Sequence, residues 1–320
     1  MHLVIGAGEF LGGHVTRSLS ADVPVIELPA DADADTLEDA ISGVEVVVFA
    51  AQTALPAQRV RYRRRPPAAL QRIVEAAGRA RVRRIVHVST ADVYGSEHAG
   101  RVNERSPLKP AHAYERSKLF EEEWLLETAA SVEVVIIRPA RVFGEGEDWL
   151  LRRLVAAAVH GRVWLPGGGR AVQSFVSAED VGRACLAASD RGRPGHRYLV
   201  CGFDSTWREL VLAAARAVGF AAEIGSVPFD LPYLRALAAQ TFTRPGAAVW
   251  PGLFAVDVLG RSRQYDDSYS RRELTWSPSV GSFEQELPAM TRWLAGLPEV
   301  KAALAEQPRT RSEAISPPGR

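Results

Sequence analysis

Cysteine is nearly absent from this chain of 320 residues: Cys185 and Cys201 are the only two. Two cysteines make no disulfide framework. They fall in segments that read as a helix and a strand, so buried thiols in a reducing cytoplasm are expected. The seven histidines show no HxxxH, HxH or Cys-His spacing, which leaves a metal site without support. No run approaches the ~20 apolar residues of a membrane span. The chain enters a strand at His2, with no room for a leader before it. A formal net charge of +1 is too small for a broad grip on nucleic acid, which needs a clearly basic face. Hydrophobic residues, at 47%, suffice for a core without staples, and the length suits one large α/β unit or two lobes.

Apolar runs of strand length recur at Leu3–Ile5, Val23–Leu28, Val44–Ala50, Arg84–Ser89, Val132–Arg138 and Arg197–Cys201. Several lack strict alternation, as central parallel strands covered on both faces do. Helix-period stretches lie between them at 10–20, 35–43, 67–80, 113–130, 147–160 and 178–189. That alternation predicts an α/β fold, a Rossmann-type doubly wound parallel sheet. The link from Glu27 to the helix near Thr36 is short, so the strand usual there is expected to be missing or vestigial. Beyond about residue 203, helices at 206–218 and 281–296 flank a Pro-, aromatic- and Leu-rich stretch, Val227–Leu259. We therefore expect 1–145 and 171–202 to form a nucleotide-binding domain. Residues 146–170 and 203–305 would form a smaller, interleaved substrate lobe. The end, 306–320, has no periodicity and reads as a disordered tail.

The first strand runs into Gly6-Ala7-Gly8-Glu9-Phe10-Leu11-Gly12-Gly13, and a helix follows. Glycines here let the backbone turn tightly and approach a pyrophosphate, whose charge then sits on the helix N-terminus. This strand–loop–helix context makes Gly6, Gly8, Glu9, Phe10, Leu11 and Gly12 a candidate dinucleotide site. The next strand carries Glu27, near the spacing where an acidic side chain accepts from adenosine ribose hydroxyls. A plain solvated glutamate is the alternative. A carboxylate there repels a ribose phosphate and Leu28 supplies no cation, so NAD is expected over NADP.

Tyr114-Glu115-Arg116-Ser117-Lys118 lies in a helical stretch, where i, i+4 spacing puts phenol and ammonium on one face. A tyrosine titrates near about 10, too high for a base at neutral pH. A lysine beside it, with a positive nicotinamide ring near, stabilises the phenolate. Tyr114 then takes or gives the proton while hydride moves.

In order along the chain come the glycine loop, Ser89-Thr90-Ala91-Asp92-Val93-Tyr94-Gly95, Tyr114 with Lys118, and Arg138-Pro139. Gly144 with Gly146 and Phe175-Val176-Ser177-Ala178-Glu179-Asp180-Val181 complete the set. On these motifs the chain resembles an extended short-chain dehydrogenase/reductase of the NAD-dependent epimerase/dehydratase type, over roughly residues 1–297. The resemblance implies that Thr90 holds the substrate oxygen, with Ser89 the second candidate. It implies that Lys118 hydrogen-bonds the nicotinamide ribose, and that Ala50, Ala51, Ser89 and Pro139 line the cofactor. It also implies a homodimer built from helices 67–80 and 113–130.

Several positions depart from the family's pattern. Glu9 stands where a second glycine is usual, which puts a carboxylate near the pyrophosphate. Pro66 falls about where an asparagine normally opens a helix. Dehydratases follow the threonine with an Asp-Glu pair for elimination, and Ala91-Asp92 keeps half of it. Nucleotide-sugar epimerases grip the diphosphate with an asparagine and an arginine, at the positions of Arg141 and Gln173. Arg141 retains a charge for an anion, or is a structural arginine. The stretch from Val227-Pro228 to Ser277-Pro278 is similar to the 3β-hydroxysteroid dehydrogenase-like branch, which handles bulky apolar alcohols and ketones. Phe229, Tyr233, Phe242, Trp250 and Phe254 would cap such a pocket or form an ordinary core. Arg59, Arg61, Arg63, Arg64 and Arg65 read as a solvated loop, or as a docking patch for an anionic carrier of the substrate.

The expected function is NAD(P)-dependent interconversion of a secondary alcohol and a ketone on a small, partly apolar molecule. Thr90, Tyr114 and Lys118 would be catalytic, and Thr90, Ala91, Asp92, Arg141 and Gln173 would meet the substrate. A sugar-nucleotide epimerase or dehydratase with tightly held NAD is the alternative.

Overall fold

The computed structural model describes residues 1–51, 66–129, 131–242 and 252–306. The arginines at 59–65, Trp250 and 307–320 lie outside these, as does the side chain of Phe242.

The first half alternates strand and helix: β1 (His2–Ile5), α1 (Phe10–Ser20), β2 (Val25–Leu28), α2 (Ala34–Ile41), β3 (Val46–Phe49), α3 (Ala68–Arg79) and β4 (Arg84–Val88). A short 3₁₀ turn (Ala91–Tyr94) leads on to α4 (Ala113–Thr128), β5 (Glu133–Pro139) and β6 (Arg141–Phe143). Then come α5 (Leu151–Ala158), β7 (Arg162–Pro166), β8 (Val172–Ser177), α6 (Ala178–Arg191), β9 (Arg197–Val200) and β10 (Phe203–Thr206). The C-terminal part holds α7 (Trp207–Ala217), β11 (Glu223–Val227), α8 (Asp230–Phe242), α9 (Leu253–Gly260), α10 (Ser268–Leu274), α11 (Phe283–Gly296) and α12 (Pro298–Glu306).

Six strands make one parallel sheet in the order β2-β1-β3-β4-β5-β9. Its central strands are mostly apolar because both faces are covered. Val46 and Val48 point to the side of α1 and α6, where Val15, Leu19, Val181 and Cys185 meet them. Val47 and Phe49 point to the other side, with Leu37, Ile73 and Leu125 of α2, α3 and α4. No strand lies between Leu28 and Ala34, so the sheet ends at β2, as the short link there predicts.

A second core fills the C-terminal part, from Leu154, Trp207, Leu210, Phe254, Phe283 and Met290 among others. Strand β8 serves both cores: Phe175 packs into this one and Val176 into the α1–α6 side of the sheet. Small sheets β10-β8-β6 and β11-β7 carry the lobe. Among the described residues no helix is long and apolar enough to cross a membrane.

Candidate active site

The loop after β1 is shaped by two glycines and opened by a third. A Cβ on Gly6, at φ +91°, would lie 2.7 Å from the Ala51 backbone, and one on Gly12 would lie 1.9 Å from the Gly6 carbonyl oxygen. Both contacts are impossible for a side chain, so β1, β3 and α1 meet here only through glycine. At Gly8 nothing lies within 4 Å of that position. The backbone is bare towards a cavity of about 660 Å³, which Gly8, Glu9, Phe10, Leu11, Ala50, Ala51 and Pro139 border. A bare loop at a helix N-terminus fits a dinucleotide's pyrophosphate, so the residues present suit the cofactor that the loop implies. Glu27 sits exposed on the edge strand β2, paired in register with Val4.

Helix α4 begins where Glu115 makes it begin. Glu115 is buried, and its Oε2 accepts from the backbone N–H groups of Ala111 (2.6 Å) and His112 (2.9 Å). That places Tyr114 in the first turn, with Lys118 one turn on, and both side chains line the same cavity as the glycine loop. Thr90 borders the cavity beside Tyr114. The Thr90 hydroxyl donates to Asp92 Oδ2 and accepts from the Asp92 backbone N–H, both at 3.2 Å. Burial, then the Asp92 carboxylate, push Tyr114 above its ordinary value, against the pull of Arg141. The Lys118 ammonium, at 3.1 Å, donates to the buried carboxylate of Glu121, a partner the motif gave no reason to expect.

Ser89 borders the cavity but its hydroxyl is engaged, donating to Glu122 Oε1 at 2.5 Å. Glu122 also takes a forked pair from Arg138, at 3.0 and 2.6 Å, and Arg138 donates to the Tyr94 hydroxyl at 2.7 Å. The Ser89 hydroxyl is therefore committed within this buried cluster, and Thr90 is the one beside Tyr114.

Asp92 receives Arg141 at 2.9 and 3.1 Å and Arg263 at 2.8 Å. Burial alone would raise its pKa; the two guanidinium groups hold it below the usual carboxylate value. Arg263 also donates to Glu115 and Asp257, so one guanidinium ties α4, α9 and the turn after β4 together. His112, Glu115 and Asp257 are the one group of three potential metal ligands that comes together among the described residues. Arg263 is bonded to two of its three members.

The remaining expected substrate contacts divide. Asp92 and Arg141 border the cavity, and Arg141 lies over the Trp149 ring at 5.7 Å. Gln173, 1% exposed, spends its amide on the carbonyls of Val258 and Arg261 and is not among the residues bordering the cavity. Ala91, also 1% exposed, is away from that lining, its carbonyl accepting from the Tyr265 hydroxyl. Of the aromatic stretch, Phe254 backs Tyr114 (ring centroids 5.2 Å) and stacks on Trp149 (5.4 Å). Phe229 and Tyr233 stack on each other instead. The cavity is also bordered by Val142, Phe143, Trp149, Leu150, Trp207 and Leu210, with the charged Glu147, Asp148 and Arg153 beside them, none of which a motif marked.

The family model described as NAD dependent epimerase/dehydratase family matches residues 2–201. The chain belongs to that family. As a member of it, this chain is an NAD-dependent enzyme of the extended short-chain dehydrogenase/reductase group. It is 28% identical over 275 residues to a 4-hydroxy-2-methyl-3-oxo-4-farnesyl-3,4-dihydroquinoline-1-oxide ketoreductase of Stigmatella aurantiaca, covering 80% of this chain and 79% of the relative. It is 30% identical over 218 residues to sterol demethylase protein B of Methylococcus capsulatus, covering 65% of each. Among solved structures, the dTDP-glucose 4,6-dehydratase DesIV of Streptomyces venezuelae, with NAD and TYD bound, superposes with a TM-score of 0.70 at 24% identity. The match covers 92% of this family member and 97% of that chain, and it is a likeness of fold.

Proposed function

We propose that this chain interconverts a secondary alcohol and a ketone on a bulky, partly apolar molecule. Tyr114 is the general acid and base, and Thr90 the second donor to the substrate oxygen. NAD, when bound, supplies or accepts the hydride. Lys118 keeps a positive charge in the cavity beside Tyr114, where it favours the phenolate and orients the cofactor's ribose. Glu27 discriminates against a ribose phosphate, and the protein dimerises through α3 and α4.

The observation that carries this reading is the apolar part of the cavity lining. Six apolar or aromatic side chains border the cavity, beside the charged Glu147, Asp148 and Arg153, and covering an apolar substrate face there contributes roughly 25 cal/mol per Å² removed from water. The positions that would grip a sugar nucleotide's diphosphate are spent elsewhere, Arg141 on Asp92 and Gln173 on backbone carbonyls. Elimination lacks its acid as well. Ala91 has no carboxyl group, and Asp92 is held ionised between two guanidinium groups, where it is a poor proton donor. Two relatives support the reading by name, one a ketoreductase of a farnesyl-bearing quinoline oxide and the other named for sterols.

The test is direct. NADH oxidation is followed with 1-tetralone and with a steroid 3-ketone, and calorimetry measures the binding of UDP-glucose and dTDP-glucose. Turnover of the ketones with weak sugar-nucleotide binding is expected. Micromolar binding of either sugar nucleotide overturns the reading in favour of an epimerase.

A further inference from the structure

Two neighbouring side chains of the cavity lining, Arg141 and Trp149, carry N–H groups that nothing answers. Arg141 reaches both oxygens of Asp92 through Nη2 alone, at 2.9 and 3.1 Å. Its Nε is buried and has no acceptor among the described residues. Nη1 has none there either, and it is not closed off, since the side chain is 13% exposed. The guanidinium lies 5.7 Å over the Trp149 ring, whose Nε1–H is a second buried donor without an acceptor. The two residues come from different elements, β6 and the segment leading into α5. A buried donor gives up its hydrogen bond to water, so native structures nearly always supply an acceptor in exchange.

The acceptors close by are committed. Asp92 is shared with Arg263, at 2.8 Å. Glu147, in the same segment as Trp149, is turned to the backbone N–H groups of Trp149, Leu150 and Leu151. The indole is held in place by its stack on Phe254, with ring centroids 5.4 Å apart. Of the other cations bordering the cavity, Lys118 is bonded to Glu121 at 3.1 Å and Arg153 is exposed.

We propose that Arg141 and Trp149 form a second polar subsite of the cavity, which takes a carboxylate of the substrate, apart from the carbonyl that Tyr114 serves. This deepens the reading of the substrate as partly apolar, and it rests on this cavity being the substrate's. A guanidinium and an N–H beside it match the two oxygens of one carboxylate, and hydrogen bonds to an ionised group are roughly twice as strong as neutral ones. Nη1 offers the first contact, and a small tilt of the indole brings Nε1 to the second oxygen. One nitrogen of Arg141 stays on Asp92, so the subsite suits a single carboxylate better than a diphosphate. The substrate class that follows is a keto acid with a bulky apolar body. Its carboxylate takes no part in bond making and fixes which way round the molecule sits.

The experiment is calorimetry on the NADH-loaded protein with 2-naphthoate and with 2-naphthamide, which has the same rings and nearly the same shape but no charge. The wild type should bind the naphthoate at least about tenfold more tightly. Arg141→Gln should abolish that preference, and Asp92 still has Arg263 in this variant. Trp149→Phe keeps an aromatic ring against Phe254 but lacks the N–H, and should narrow the preference roughly fivefold. If Arg141→Gln does not fold, Trp149→Phe decides. Equal affinities in the wild type overturn the proposal, as does a preference kept in full by either folded variant. A preference that disappears in Arg153→Gln instead gives the carboxylate to that arginine and overturns it too. Binding of these probes needs no turnover. A protein that showed the expected preference yet reduced no ketone would lose the proposed reaction and keep this subsite.

Discussion

Ser89 gives its hydroxyl to Glu122, while Thr90, the next residue, gives its own to Asp92 and borders the cavity beside Tyr114. Two adjacent hydroxyls thus have separate duties, one inside the Glu122–Arg138 cluster and one at the reacting group. Ser89→Ala should cost stability, about 1.5–3 kcal/mol for a buried hydrogen bond to a charged group, with little change in kcat. Thr90→Val should do the reverse. Urea unfolding alongside steady-state kinetics separates the two, and a kinetic defect confined to Ser89→Ala would exchange their roles.

Tyr114→Phe removes the proton that reduction requires while leaving ring packing against Phe254 in place. Turnover should drop on the order of 10²-fold or more, with NADH affinity nearly unchanged by fluorescence titration.

The glycine loop makes a contrast of two alanines. Gly12→Ala drives a Cβ into the Gly6 carbonyl oxygen and should destabilise the fold outright. Gly8→Ala meets nothing within 4 Å, so the protein should melt as the wild type does but bind NADH more weakly, because the methyl group enters the space beside the loop. Equal NADH affinity in Gly8→Ala would move the pyrophosphate away from this loop.

Glu27 should favour NAD(H) over NADP(H), and Glu27→Ala should narrow the gap in dissociation constants. A wild-type preference for the phosphorylated cofactor would discard this assignment.

Acid should weaken the protein through Asp92 and Asp257. Burial raises both; Arg141 and Arg263 override it at Asp92, and the His112 hydrogen bond and Arg263 override it at Asp257. A carboxylate whose folded pKa lies below its unfolded value of about 3.9 contributes stability above that pH, and loses it as pH falls through the folded value. Glu115, raised by burial, acts with the opposite sign. Thermal melts between pH 2 and 6 should show Tm falling below about pH 4. The fall should be shallower in Asp257→Asn.

The fold was legible because the central strands are mostly apolar runs, such as Val46-Val47-Val48-Phe49, that a doubly covered sheet buries. The Tyr114 and glycine-loop ends of the cavity were legible because bond geometry fixes their spacing. The rest was hidden for definite reasons. Glu121-Glu122-Glu123 reads as a solvated helix face, yet the first two turn inward, because Lys118 and Arg138 are buried with them. Lys118 followed by Glu121 at i+3 was the available signal. Arg263 belongs to no motif, and its partners are gathered from segments 148 and 171 residues away. The partners of Gln173 were not legible, because a family position says nothing of an amide's local hydrogen bonds. The wall residues Trp149 and Trp207 look like any core aromatics until α5 and α7 are set against the cavity.

Arg263 also bears on how easily the C-terminal lobe could swing away from α4. Prising the C-terminal lobe from α4 would strip Glu115, Asp92 and Asp257 from one guanidinium that is only 1% exposed on its side chain, and losing a partner in such a pair costs about 3–5 kcal/mol. A hinge there would be slow to open. The border of the cavity at the start of α5 carries exposed Asp148 and Arg153 among the lining residues. Passage of a ligand is expected on that border. Changing Asp148 or Arg153 should therefore alter how fast product leaves, and with it kcat where release is limiting, while the isotope effect on hydride transfer in a single turnover stays as it was.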